Sequence, residues 1–300
     1  MTTNNKNVCV IIPVYQEMKD LELYSFKRMV SVFSSRKIVI IGPPSLEDYI
    51  HGLCATIENS SSIFFENVFG RGPQYYSRLF MSNELYKHFL DFDYVVVCQT
   101  DVFVIKDDID YWCEQGYDMI GAPVFEGYTA PKNEMKQNAL NTGFCIRNPK
   151  SCYKVLSMTK NRYSKISSLW KMESIWYWKF FRVIRDGLIF NYKIESLRPI
   201  INEDMFWTVL VPDKFPWFKN CPPEKAKYFS YDANPRYLFQ ESNNTYPMAI
   251  HAWWRYDKPF VMEIIESLDD CNIPKGNLVP DAEREREMKY NPRPHLKEGC

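Results

Sequence analysis

Five consecutive apolar residues, Tyr94-Val95-Val96-Val97-Cys98, run directly into Gln99-Thr100-Asp101. A short run that is apolar at every position, with no alternation, suits a strand covered on both faces, as in parallel sheets flanked by helices. The polar residues then stand at the carboxyl end of a central strand, where open α/β sheets bind their ligands.

The flanking sequence repeats that pattern. Val8-Cys9-Val10-Ile11-Ile12 is a second such run, closed by Pro13, and Lys37-Ile38-Val39-Ile40-Ile41 is a third, closed by Gly42-Pro43-Pro44. Between them residues 18–34 carry Met18, Leu21, Phe26, Met29, Val30 and Phe33 at helical spacing. Strand, helix, strand in this order builds a parallel crossover. Further strands are predicted over residues 62–66, 118–123 and 140–147, and helices over 73–89, 107–115 and from Pro149 onward. The polar stretch 124–137 reads as a flexible segment or lid. No GxGxxG follows the first strand and no GxxxxGK occurs anywhere in the chain, which disfavours a dinucleotide fold and a P-loop.

With 300 residues, 46% hydrophobic and 25% charged, the chain can bury a core of one large α/β domain. Lys and Arg balance Asp and Glu at 37 each, so nucleic acid is not the expected partner. Nine scattered cysteines without a close CxxC pair argue against both a structural zinc site and a disulfide framework. Residues 1–7 are polar, and no apolar run reaches the ~20 residues that span a bilayer. The expected compartment is the cytoplasm, up to the inner face of the membrane. Residues 160–185 shift in character, with Lys and Arg alternating with Trp170, Trp176, Tyr177, Trp178, Phe180 and Phe181. This suits a helical acceptor-side insertion over 159–200, and peripheral contact with an anionic membrane ranks below that. The expected layout is one domain over 1–270 and a charged arm over 271–300.

Several side chains can carry chemistry. Asp101 is placed either to ligate a hard divalent cation or to cap the element that follows. Glu203 and Asp204 are adjacent carboxylates, suited to general-base work and equally to the first turn of a helix. His251 follows an apolar stretch and precedes Trp253 and Trp254; it can complete a metal or phosphate site or be a satisfied core histidine. Asn141, Thr142 and Gly143 form a polar turn in which the glycine lets a ligand approach the backbone.

These features occur together in an order that resembles the GT-A-fold glycosyltransferases. More narrowly, the chain looks like a family of glycosyltransferase-like proteins catalogued as a domain of unknown function. The resemblance rests on Val10-Ile11-Ile12-Pro13-Val14-Tyr15, Tyr76-Ser77-Arg78-Leu79, Gln99-Thr100-Asp101, Tyr117-Asp118-Met119-Ile120-Gly121-Ala122-Pro123, the turn and strand Asn141-Thr142-Gly143-Phe144-Cys145-Ile146-Arg147, the pair Glu203-Asp204, and His251. The Tyr-Asp-Met-Ile-Gly-Ala-Pro block is the most specific of these.

The resemblance implies a GT-A-like, Rossmann-like mixed and mainly parallel sheet flanked by helices. It implies a nucleotide-sugar donor bound by Pro13, Val14, Tyr15, Glu17, Arg78, Gln99, Thr100 and Asp101. Asp101 and His251 would hold a divalent metal, Mn or Mg, with the diphosphate. Asn141, Thr142, Gly143 and Trp253 would face the sugar or the acceptor, and Asp204 or Glu203 would be the base. Gln99 stands where the acidic motif of that fold has its first aspartate, and an amide oxygen binds a metal more weakly than a carboxylate. The resulting expectation is sugar transfer, with inversion, to a glycan or lipid-linked glycan acceptor in bacterial surface polysaccharide or lipopolysaccharide synthesis. A retaining transferase on the same fold and a non-catalytic carbohydrate- or nucleotide-binding scaffold remain the alternatives.

Overall fold

The computed structural model of the chain describes residues 6–66, 73–127, 131–158, 176–184 and 202–268. Its strands are β1 (Val8–Pro13), β2 (Lys37–Gly42), β3 (Ser60–Phe64), β4 (Tyr94–Cys98), β5 (Phe103–Val104), β6 (Met119–Phe125), β7 (Met135–Arg147), β8 (Ser230–Tyr231) and β9 (Ala249–Ile250). Six of them form one sheet in the order β3-β2-β1-β4-β7-β6, and the other three form a small sheet in the order β5-β9-β8. In the large sheet β3, β2, β1 and β4 are parallel, while β7 runs antiparallel to both β4 and β6. This is the mixed, mainly parallel α/β architecture that the strand pattern implies.

The non-alternating strands are buried on both faces. Cys9, Ile11, Val39, Ile41, Val95 and Val97 enter one apolar cluster, and their neighbours Val10, Ile12, Ile38, Ile40 and Val96 enter the other. Helices α1 (Asp20–Val32) and α2 (Glu47–Cys54) cover the second face through Phe26, Met29 and Ile50. Helices α3 (Pro73–Phe80), α4 (Asn83–Lys87) and α6 (Pro149–Met158) cover the first through Leu79, Phe80, Leu85 and Val155, and α5 (Ile109–Glu114) adds Ile109 and Trp112 to the second. The cysteines of the described residues are free.

Two expectations are corrected. The helix expected over 73–89 breaks at Ser82, whose Oγ donates to the Leu79 carbonyl at 2.8 Å and accepts from Leu85 N at 3.4 Å, capping a second helix. The stretch read as a lid, 124–137, is instead tied into the β6–β7 hairpin, where Phe125 pairs with Met135 and Glu126 N donates to Glu134 O at 2.9 Å. Residues 128–130 within it lie outside the described residues. Of the insertion expected over 159–200, residues 176–184 are described and begin with a helix, α7 (Trp176–Arg182). The expected arm 271–300 lies outside the described residues. Among the described residues no helix is long and apolar enough to cross a membrane.

Candidate active site

The two sheets meet at the carboxyl end of β4, and their registers explain which side chains converge there. Cys98 pairs with Phe144, so the next residue, Gln99, lies beside Gly143 and its N–H donates to the Gly143 carbonyl at 3.0 Å. Strand β5 begins two residues beyond Asp101 and pairs antiparallel with β9, Phe103 opposite Ile250. This brings Asp101 back beside His251. Strand β8 pairs parallel with β9, Tyr231 opposite Ile250, so the residues that follow them, Asp232 and His251, emerge side by side. Three strands of two residues each thus gather groups separated by as many as 152 positions of sequence.

The imidazole of His251 is the centre of the cluster. Its Nδ1 lies 3.0 Å from Asp232 Oδ1, and its Nε2 lies 3.2 Å from Gln99 Oε1 and 3.3 Å from Asp101 Oδ1. Gly143 makes room for the ring: a Cβ there would stand 2.3 Å from Nε2. Burial works against a charged imidazole, but Asp101 on one side and Asp232 on the other hold its pKa well above the ordinary value. Burial likewise works to raise Asp101, and the facing His251 outweighs it and holds that carboxyl low.

Among the described residues no three His, Cys, Asp or Glu side chains converge as a metal cage. The set at His251 Nε2 is of another composition: one carboxylate oxygen, one amide oxygen and one nitrogen. Adjacent ligands of a six-coordinate ion with ~2.1 Å bonds stand about 3 Å apart, close to the spacings seen here. Asp101 Oδ1 is buried with His251 Nε2 as its neighbour at 3.3 Å, and Asp232 occupies the far nitrogen of His251 as an outer carboxylate does in metal sites. The donor set fits a divalent cation, with the neutral Gln99 amide where a second carboxylate would add charge.

A second cluster adjoins the first through Asn141–Gly143, which is corrected from a polar turn to an irregular stretch inside strand β7, where the pairing with β6 shifts register. Asn141 Oδ1 accepts from Gly143 N at 2.9 Å and shapes this irregularity of the strand. The β6–β7 register shifts across Gly121, where a Cβ would lie 2.2 Å from the Asn141 carbonyl. The glycine of the Tyr-Asp-Met-Ile-Gly-Ala-Pro block therefore seats this irregular stretch of β7. Thr142 points away from His251 toward the carboxylate pair. Its N–H donates to Asp204 Oδ1 at 2.9 Å, and its hydroxyl contacts both Asp204 Oδ1 and Glu203 Oε1, the latter at 3.0 Å. A hydroxyl has one proton to give. Both contacts are hydrogen bonds only when one of the two carboxyls is itself protonated.

Glu203 is 3% exposed, and its other oxygen pairs with the Arg147 guanidinium at 2.7 Å, with Arg147 fully buried. Arg147 also donates to Tyr86 Oη at 2.7 Å and stacks over the Phe80 ring. Burial raises the Glu203 carboxyl to about 7, with Arg147 opposing and Asp204 adding to the rise. Burial also raises Asp204, against the hydrogen bonds from Thr142. The pair opens a helix (Glu203–Met205) whose N-cap is Asn202, and a wide turn of helix, Phe206–Leu210, follows, with Thr208 Oγ1 donating to the Asp204 carbonyl at 2.6 Å.

The structure brings together Gln99, Asp101, Asn141, Thr142, Gly143, Glu203, Asp204 and His251. Thr100 is turned away: it is buried, and its hydroxyl donates to Glu22 Oε1 at 3.0 Å, pinning the loop to the start of α1. Trp253 is corrected from a sugar-facing residue to a core residue, fully buried with its indole N–H on Ser25 Oγ at 2.8 Å. Pro13 ends β1 and Val14 is buried beside it, with Tyr15 and Glu17 exposed in the loop beyond. Because β1 and β4 are parallel, that loop leaves the same sheet edge as Gln99. Arg78 is an exposed residue of α3, next to Ser77, whose Oγ accepts from Glu203 N at 3.4 Å. Sequence reasoning missed Asp232 and the role of Arg147. The first follows a short strand with no pattern to mark it, whereas the second is a charged residue closing an apolar strand, which is a signal in itself.

A family model described as "Protein of unknown function (DUF5672)" matches residues 59–251, nearly two thirds of the chain. No curated protein matches it. Among solved structures, apo mouse xyloside xylosyltransferase 1 is similar at 10% identity over 82% of this chain and 97% of that one, with a TM-score of 0.45. The galactosyltransferase LgtC, solved with donor and acceptor sugar analogues, is similar at 12% identity over 94% and 99%, with a TM-score of 0.47. The glycosyltransferase GlyE of Streptococcus pneumoniae TIGR4 is similar at 12% identity over 88% and 64%, with a TM-score of 0.44. At these scores function has to be read from the site itself.

Proposed function

Since the chain belongs to the DUF5672 family, described only as proteins of unknown function, we propose its function from the site: transfer of a sugar from a nucleotide-diphosphate donor to a hydroxyl of a glycan acceptor. The observation that carries this reading is the convergence of Gln99, Asp101 and His251, backed by Asp232, beside Asn141–Gly143 of β7 at the carboxyl edge of the sheet. The resemblance of the sequence motifs to GT-A-fold glycosyltransferases supports the same reading.

In such a transfer the bond between the sugar C1 and the phosphate oxygen breaks, the acceptor oxygen bonds to C1, and the acceptor proton leaves. Negative charge collects on the departing diphosphate, and preorganised positive groups offset it. A divalent ion such as Mn2+ or Mg2+, held by Asp101, His251 and the Gln99 amide oxygen, would supply that charge. Asp232 holds Nδ1 of His251 and so aims Nε2 at Asp101 and Gln99. The loop holding Tyr15 and Glu17 leaves the same edge and is suited to the nucleoside end, with exposed Arg78 as a further contact to it. The irregular stretch of β7 at Asn141–Gly143 brings the Asn141 side-chain amide to the sugar end of the site, while the Gly143 backbone is held by Asn141 and Gln99.

Glu203, ion-paired to Arg147 and buried, is not free to take a proton from an acceptor. Asp204 is the one carboxylate of the pair left for that role, and it supports the inverting reading. A second reading, retention, is favoured by the double engagement of Asp204 by Thr142, which leaves it a poor base. The configuration of the product's anomeric carbon, read by proton coupling, separates the two.

The reading as a whole is tested by Asp101→Ala and His251→Ala, with nucleotide release from a panel of sugar nucleotides as readout. The expected result is a loss of ~100-fold or more in turnover for each. Unchanged turnover in correctly folded variants would overturn the role of this site. A wild-type chain that binds UDP and GDP with no dependence on manganese would favour the scaffold.

A further inference from the structure

Helix α7 (Trp176–Arg182) exposes Trp176, Tyr177, Trp178, Phe180 and Phe181, with Trp176 74% exposed. At ~100° per residue these five rings sweep an arc of about 200° around the helix, and Lys179 falls on the arc that remains. Among the described residues the other large exposed hydrophobic side chains, Tyr15, Tyr111, Trp217 and Tyr228, are scattered singly. Single exposed rings are ordinary, but five on two turns of one helix mark an interaction surface. The end of the helix is fastened to the body of the protein: Val183 packs against the apolar cluster that contains Phe206 and Trp207.

The charge of the sequence around the helix identifies the partner. Residues 160–185 contain seven Lys and Arg against one acidic residue, Glu173, in a chain whose totals are equal. The rest of the chain therefore carries six more acidic than basic groups. Tryptophan and tyrosine among basic residues are the composition of the membrane–water interface, where the rings sit at the headgroup level and the cations meet anionic lipid. A partner protein or a soluble glycan asks for aromatic rings but not for this excess of positive charge.

We propose that α7 is a peripheral docking element that lays its aromatic face into an anionic lipid surface, with the acidic remainder of the chain held away from it. Among the described residues no helix is suited to crossing the bilayer, so the contact is one of surface adsorption.

Sedimentation of the full chain with vesicles tests this. The vesicles are phosphatidylcholine alone, or with about 30 mol% phosphatidylglycerol, at low salt and at about 0.5 M NaCl. The expected result is partition at least ~10-fold stronger onto the anionic vesicles, lost at high salt. The triple variant Trp176→Ser, Trp178→Ser and Phe181→Ser should lose ~10-fold or more in partition while its circular dichroism is unchanged. Lys171→Glu with Lys179→Glu and Arg185→Glu should abolish the preference for anionic lipid. Three results overturn the proposal: no binding to anionic vesicles, equal binding by the folded triple variant, or a wild-type dimer that the triple variant converts to monomer without any change in vesicle binding. Loss of oligosaccharide binding by the triple variant with vesicle partition untouched would assign the helix to the acceptor instead.

Discussion

Arg147 NH2 stands 2.7 Å from Glu203 Oε2, with both side chains sealed from solvent, and this ion pair anchors the helix that carries Asp204 to the central sheet. Removing one partner of a buried pair leaves the other charge uncompensated. Arg147→Met should therefore lower unfolding stability by about 3–5 kcal/mol above the pH at which Glu203 gives up its proton, and by less below it, measured by urea denaturation. A change within ~0.5 kcal/mol, the range of a surface substitution, would show that the pair is not formed.

The same carboxyl gives a signature in pH. Glu203 is raised from 4.5 to about 7, chiefly by burial, so the folded protein holds a proton there that the unfolded chain gives up. Its favourable contribution is complete below pH 4.5 and is lost as the pH rises through about 7, on the order of 3 kcal/mol in all. Glu203→Gln should flatten stability against pH over that window. An identical slope in variant and wild type would contradict the shift.

Gly143→Ala tests the seat of the histidine. A methyl group there would overlap the His251 ring, which must then move away from Gln99 and Asp101. Nucleotide release should fall by ~100-fold, as when a catalytic group is displaced by about 1 Å. Retained turnover would mean that the ring position is not required.

Asp232→Asn removes the carboxylate that receives the Nδ1 proton of His251. Outer carboxylates of this kind contribute ~10–100-fold to metal affinity or activity. Calorimetric titration of nucleotide with and without manganese should show the manganese-linked part of the affinity weakened by that factor, and the metal-free part little changed. Equal weakening of both would assign Asp232 to the fold alone.

The sheet was legible because its strands are buried on both faces, which leaves an uninterrupted apolar run at β1, β2 and β4 that no surface element would carry. Gln99 and Asp101 were legible for the same reason, standing just past the end of such a run. Asn141–Gly143 reads as a turn instead, because polar residues and a glycine inside a strand look the same in sequence as a turn beside one. The rest of the site depends on pairing that no local pattern encodes. Strands β5, β8 and β9 have two residues each, too few to show any period, and with them went Asp232. Trp253 was misplaced because an aromatic beside a polar histidine looks the same in sequence whether it faces a sugar or packs into a core. The helix expected over 73–89 hid its break, since Ser82 is a tolerable helix residue until its hydroxyl caps the next one.

The small sheet β5-β9-β8 also sets an order of events. Asp101 leaves the ribosome about 130 residues before Asp232 and 150 before His251, and only the pairing of β9 with both β5 and β8 joins the three. The parallel sheet β3-β2-β1-β4 can begin to form on an emerging chain, but the closing contacts are among the longest in the molecule and so come late. Competence is thus a property that the nascent chain acquires last, after residues 230–251 have threaded back to an edge made long before.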